Sequence, residues 1–257
     1  MRDDVAVTAD VPTILATSAG FERGPLGGFD IRPGRVHHFA AELANAGADP
    51  RICVLAQALG DPEARIGAFY SAFASTAFTM SHLQLFPMPN VEDIRAHLLA
   101  QDVIWVDGGS VANLVALWRV HGLDEILYEA WQAGVVLSGS SAGSICWHTG
   151  GTTDSFGLRL RAFTDGLGWL PYSNGVHYDA EGERRPKMHE LIADGTLPDG
   201  FATDEGAGLV YRGTSLQEVV ADRAGPRGYA VQRTAAGTVT ETPLPTRVLP
   251  EYRHRSA

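Results

Sequence analysis

Gly134-Val135-Val136-Leu137-Ser138-Gly139-Ser140-Ser141-Ala142-Gly143 is the stretch on which the reading of this chain turns. Val135 to Leu137 is an apolar run that predicts a buried strand, and it breaks abruptly into small residues with Ser141 at their centre. Gly139, Ser141 and Gly143 fit Gly-x-Ser-x-Gly. That pattern needs small flanks because a strand must reverse sharply into a helix while holding the serine in a strained backbone conformation, its hydroxyl projecting from the sheet. The Ala142 amide then lies at a helix N-terminus, aimed where an oxyanion forms. The motif is short and the chain holds 29 glycines, so its weight comes from its place, behind an apolar strand and ahead of Ile145, Cys146 and Trp147, which suit the buried face of a helix.

Upstream, strands and helices alternate. Strands are predicted at Thr13 to Thr17, Ile52 to Leu55, about Leu83 to Phe86, and Val103 to Val106. Between them lie a helix from about Arg35 that carries Phe39 and Leu43 and stops at Gly47, one opened by Asp61-Pro62 with Asp61 as N-cap, and one capped by Asn90. After Val106 come the turn Asp107-Gly108-Gly109-Ser110, a helix capped by Ser110 and ending at Gly122, and a further helix ending at Gly134. Strands joined by helices short enough to cross over and return imply a doubly wound, mostly parallel sheet with helices on both faces. Chemistry in such sheets sits at the carboxyl ends of the strands, where both glycine-rich turns fall.

Downstream the pattern changes. Gly150 to Asp165 reads as a polar, glycine-rich loop, followed by a turn at Pro171, a strand around Val176 to Tyr178, and a helix from about Lys187 to Ala193. Strands follow at Ala207 to Tyr211, Gln217 to Val220 and Tyr229 to Gln232, the last forming a small C-terminal hairpin with Thr238 to Thr240. The expectation is a single α/β domain over residues 1–257, with 1–11 and 243–257 peripheral.

A net charge of −10 argues against nucleic acid or an anionic membrane as the main partner, and a small molecule is the default. Cys53 and Cys146, the only cysteines, both sit in apolar runs, so neither a disulfide framework nor a cysteine zinc site is available. Met1-Arg2-Asp3-Asp4 has no signal-peptide character and no stretch reaches transmembrane length, which predicts a cytoplasmic protein. The sequence does not fix the oligomeric state.

A serine hydroxyl becomes a nucleophile when an imidazole takes its proton, and a carboxylate that fixes the tautomer improves the imidazole. Of the nine histidines, His37 and His38 are expected to face solvent, His121 precedes the helix-ending Gly122, and His148 is placed on the helix after Ser141, pointing away from the hydroxyl. His189 and His254 read as surface positions. His177, at the end of a strand after Ser173-Asn174-Gly175-Val176, is the candidate able to return beside Ser141. For the carboxylate, Asp154 in Thr152-Thr153-Asp154 and Glu205 in Asp204-Glu205-Gly206 compete, and spacing does not separate them.

Together these segments resemble the peptidase E family of serine peptidases, which includes aspartyl dipeptidase and the cyanophycinases. The resemblance runs from Gly108-Gly109-Ser110 to Leu114, through Gly122-Leu123-Asp124-Glu125-Ile126-Leu127 and Ser141-Ala142-Gly143, to Thr152-Thr153-Asp154, His177-Tyr178 and Asp204-Glu205-Gly206. It implies a flavodoxin-like fold akin to the class I glutamine amidotransferases, Ser141 as nucleophile, His177 as general base, and Asp154 as orienting acid with Glu205 as the alternative. It implies oxyanion donors at the Gly109 and Ala142 amides, and a substrate carboxylate met by Arg184 or Arg185. Two departures stand out: the family has Gly-Gly-Asn where this chain has Gly109-Ser110, and often Thr-Thr-Asn-Asp where this chain lacks the Asn before Asp154. The second bears on Asp154 in favour of Glu205.

The expected function is serine hydrolysis of short, Asp-X-like peptides through an acyl-enzyme, with no metal or organic cofactor. An α/β-hydrolase-type esterase shares the elbow but usually places its histidine nearer the C-terminus, and a binding module that keeps the fold without catalysis is the reading from another class.

Overall fold

The computed structural model describes residues 9–25, 27, 30–180 and 182–252; the readings of Met1 to Asp4 and of His254 lie outside them. In chain order the strands of the first half are β1 (Thr13–Thr17), β2 (Glu22–Arg23), β3 (Ile31–Arg32), β4 (Arg51–Leu55), β5 (Thr79–Leu83), β6 (Val103–Val106) and β7 (Val136–Ser140). Those of the second half are β8 (His148–Thr153), β9 (Arg161–Phe163), β10 (Leu170–Gly175), β11 (Gly200–Thr203), β12 (Ala207–Arg212), β13 (Ser215–Ala221), β14 (Gly228–Arg233), β15 (Val239–Leu244) and β16 (Thr246–Val248). The helices are α1 (Arg35–Leu43), α2 (Glu63–Phe73), α3 (Ile94–Leu99), α4 (Val111–His121), α5 (Leu123–Gln132), α6 (Ala142–Ile145) and α7 (Arg184–Ala193).

The larger sheet has the order β16-β13-β12-β1-β7-β6-β4-β5, and β1, β7, β6, β4 and β5 run parallel. Val103–Val106 is buried at every position, which is why the sequence shows an unbroken apolar run there rather than alternation: helices cover both faces of a parallel sheet. Chain punctuation sets the helix ends. Ser110 Oγ accepts the Asn113 amide at 3.2 Å to open α4, and Gly122 closes it in the left-handed region at φ 64. The fold is the expected α/β one, with β12 and β13 extending the sheet by antiparallel pairing.

A second sheet, β15-β14-β11-β10-β8-β9, departs from the single sheet expected. Its β14–β15 pair is the C-terminal hairpin. The helix after Ser141 is a single turn, and the chain then enters β8 where a loop is predicted. Gly150 and Gly151 disguise that strand. A Cβ on Gly150 would stand 1.9 Å from the Phe163 carbonyl oxygen and one on Gly151 2.1 Å from that of Asn174, so the glycines are there because neighbouring backbones approach closely. Pro171 lies inside β10 rather than at a turn, at a register shift between Leu170 and Ser173 that tolerates its missing N–H.

Smaller corrections follow from tertiary contacts. Asp61 is not a helix cap: its carboxylate accepts the Leu85 and Phe86 amides, and Pro62 takes the cap position of α2. Asp93, not Asn90, caps α3, because Asn90 Oδ1 is engaged by the Gln84 amide. The third parallel strand in chain order is β5, Thr79–Leu83, ahead of the predicted stretch. Residues 243–249 are part of the fold, since β16 pairs with β13 and Leu249 is buried. One core joins the two sheets, with Ile14, Ile104 and Leu137 packed in the same cluster as Phe163, Leu170 and Val176. Among the described residues, no helix is long and apolar enough to cross a membrane.

Candidate active site

Ser141 follows β7 with φ 58 and ψ −112, a region that costs a non-glycine residue about 1–3 kcal/mol and persists only where the surroundings impose it. They do so here. Its amide donates to the Thr17 carbonyl at 3.0 Å, and its carbonyl accepts the Ser144 and Ile145 amides at 2.9 and 3.0 Å. The flanking glycines let this reversal press on β6: a Cβ at Gly143 would lie 2.2 Å from the Val106 oxygen, and one at Gly139 2.6 Å from the same atom. Ser141 therefore stands at the carboxyl end of the central parallel strands.

The turn after β6 is built against it. A Cβ on Gly108 would be 3.3 Å from Ser141 Cβ, and Gly109 adopts φ 137 with its Cα so close to the 3-10 turn Gln57–Leu59 after β4 that a Cβ would lie 2.4 Å from the Ala58 oxygen. Asp107, just before, is gripped through two hydrogen bonds by Arg65, Nε to Oδ2 at 2.8 Å and Nη2 to Oδ1 at 3.1 Å. Neither the Gly109 nor the Ala142 amide donates a backbone hydrogen bond among the described residues, which leaves both available to an incoming oxygen.

His177 comes from the loop after β10 and is also in the left-handed region, at φ 50. Its amide donates to Ser18 Oγ at 3.0 Å, and that hydroxyl lies 2.7 Å from Thr203 Oγ1, so the ends of β1, β10 and β11 are tied under the imidazole. Nδ1 of His177 is in close contact with Glu205 Oε2. Glu205 is itself held, its amide donating to Asp179 Oδ1 at 2.7 Å and its carbonyl accepting Arg223 Nη2 at 2.9 Å. A cavity of about 500 Å³ is lined by Ser141, His177, Glu205, Gly109, Asp154 and Arg184, among others.

Of the residues singled out from the sequence, Gly109, Ser141, Asp154, His177, Arg184 and Glu205 line that cavity, and Arg185 does not. Asp154 lines the cavity but turns its carboxylate to Arg184, Oδ2 to Nη2 at 3.7 Å, while the imidazole is met by Glu205. Arg184 is buried at the cavity wall. Arg185 is drawn into a separate network: Nη1 binds Glu241 Oε1 at 2.7 Å, and the guanidinium lies 4.6 and 4.7 Å from the Tyr178 and Tyr229 ring centroids. Its pairing with a substrate carboxylate is thereby unsupported.

The other histidines have structural roles that differ from those predicted. His37 does not face solvent. It is fully buried between Phe21 and Trp105, at centroid distances of 4.3 and 4.0 Å, and burial pushes its pKa down to about 3. His148 begins β8, buried, with Nδ1 2.9 Å from the Ser144 oxygen and Nε2 3.1 Å from Tyr211 Oη; burial takes it to about 4. His189 pairs with Glu241. Ser18, Thr203 and Asp179, which support the His177–Glu205 pair, carry no motif. The one available clue is that Ser18 directly follows β1, the strand that pairs with β7 in the sheet. No cluster of three or more metal-ligating side chains occurs among the described residues.

The fold is that of known peptidases. A crystal structure of a peptidase from an acI-B1 Actinobacterium superposes with a TM-score of 0.63 over 92% of this chain and 95% of that one, at 17% identity. A putative peptidase E from Listeria monocytogenes EGD-e gives 0.55 over 80% and 96%, at 16% identity. At the sequence level, the chain is 43% identical over 200 residues to the uncharacterized peptidase YgaJ of Bacillus subtilis (strain 168), covering 78% of this chain and 85% of that protein. The model of peptidase family S51 matches residues 32–219. The chain belongs to peptidase family S51 and is, by family, a peptidase of the serine type.

Proposed function

We propose that this chain hydrolyses short peptides with an acidic residue on the acyl side of the scissile bond, using Ser141 as nucleophile, His177 as general base and Glu205 as the acid that orients it. The observation that carries the reading is the contact of Glu205 with His177 Nδ1, in a cavity that also holds Ser141. A carboxylate on Nδ1 keeps the proton there and leaves Nε2 basic. Nε2 takes the Ser141 proton as Oγ attacks the carbonyl carbon, and the amides of Gly109 and Ala142 receive the developing oxyanion. The imidazolium then gives its proton to the departing amine as the C–N bond breaks. Water, deprotonated by the same nitrogen, cleaves the ester and restores the serine. Asp154, the acid implied by family resemblance, is not given this role because its carboxylate is directed to Arg184. The buried Arg184 guanidinium supplies a planar fork for the acidic side chain.

Labelling with a fluorophosphonate probe tests the nucleophile: wild type is labelled and Ser141→Ala is not. A folded wild type that takes no label would instead favour a binding module. A dipeptide panel of Asp-X, Glu-X, Leu-X and amino-blocked Asp-X tests substrate choice, with faster turnover expected for the free acidic members.

A further inference from the structure

Arg184 and Asp154 line the same cavity but differ in depth: side-chain exposure is 6% for the arginine and 60% for the aspartate. Their separation of 3.7 Å exceeds hydrogen-bond range, so they form a loose ion pair. Asp154 also lines a neighbouring cavity of about 640 Å³, together with Gly157, Leu158, Leu160 and Glu183. Among the described residues that line the first cavity, the charged ones are Asp154 and Glu205 as anions and Arg184 as a cation, beside the His177 imidazole.

We infer that Asp154 is a built-in competitor for the acidic side chain of the substrate: its carboxylate rests on the Arg184 guanidinium where the substrate carboxylate docks, and so limits how strongly acidic substrates are preferred. The inference rests on the proposed role of Arg184 and deepens it. A buried guanidinium favours an anion at hand. An exposed carboxylate in a loose pair is a weak ligand, held against solvent screening by little energy. A substrate carboxylate that reaches the guanidinium in bidentate geometry binds more strongly and displaces it. Asp154 can move toward the neighbouring cavity without losing contact with water, so the exchange strands no charge. Until it moves, it also repels the incoming anion.

Calorimetric titration of Asp-Leu and Leu-Leu into Ser141→Ala and Ser141→Ala/Asp154→Asn proteins decides this without requiring turnover. Asp-Leu is expected to bind about 3–10-fold more tightly when the Asp154 charge is removed, with Leu-Leu little altered. Adding Arg184→Gln should abolish the gain; if that variant does not fold, Arg184→Lys should reduce it. In active protein, Asp154→Asn should lower KM for Asp-Leu more than for Leu-Leu. Unchanged, weaker or undetectable Asp-Leu binding in the Asp154→Asn protein overturns the inference. So does a collapse of kcat with unchanged affinity, which would return Asp154 to the role of orienting acid. Failure of the peptidase reading registers separately, as absent turnover and absent fluorophosphonate labelling in wild type.

Discussion

Among the described residues, Glu205 is the carboxylate in contact with the imidazole of His177, and the choice between Glu205 and Asp154 is the residue-scale question with the largest kinetic consequence. Glu205→Gln retains the shape but removes the charge that stabilises the imidazolium and fixes its tautomer. It should lower kcat by about 10²–10⁴-fold with a much smaller effect on KM, measured on a turned-over dipeptide. A loss smaller than about 10-fold would remove Glu205 from that role. Ser141 and His177 were both legible as candidates, the serine from its glycine flanks after an apolar strand and the histidine from its place at a strand end. The acid was not. Asp154 lies in a suggestive Thr-Thr-Asp beside the serine segment, whereas Glu205 reaches the ring through a contact between residues 28 positions apart. His37 was misplaced for a related reason: the helix it sits on buries that face only because Phe21 and Trp105 arrive from elsewhere.

At the scale of elements, the tight passage from β7 into α6 depends on backbone contact with β6. Gly143→Ala puts a Cβ about where the Val106 carbonyl already is, with backbone on the opposing side that cannot swing away. The variant should lose several kcal/mol of stability, on the order of 3 or more, or fail to fold. Urea unfolding of wild type and variant measures it, and a change below about 1 kcal/mol would show that β6 and β7 can separate. The same kind of contact explains which elements were readable. β4, β6 and β7 announce themselves as apolar runs buried on both faces. β8 does not, because Gly150 and Gly151 were selected for the closeness of Phe163 and Asn174 rather than for strand propensity. Asp61 had the grammar of a helix start, but the amides of Leu85 and Phe86 took its carboxylate.

For the whole molecule, the buried histidines link stability to pH. Folding holds His37 and His148 neutral down to about 3 and about 4, while the unfolded chain takes up their protons near the ordinary 6.5. Between those values the unfolded state binds more protons, so stability falls as pH drops below about 6.5, by up to about 1.4 kcal/mol per pH unit for each histidine. Burial raises the Asp61 and Asp204 carboxyls, which acts in the opposite direction, so the informative measurement is a difference between proteins. His37→Phe should flatten the stability profile between about pH 6 and pH 4, as read from urea midpoints at several pH values; an unchanged slope would show that His37 is protonated in the fold. By itself the sequence determined the alternation of strands and helices in the first half, the reversal at Ser141 and the family, because these depend on local patterning of apolar and small residues. Only the tertiary structure decided the second sheet, the inclusion of residues 243–249 in the fold and the partners of His177 and Arg184. Those rest on close approaches between segments far apart in the chain, and the side chains involved look the same in sequence whether or not the approach takes place.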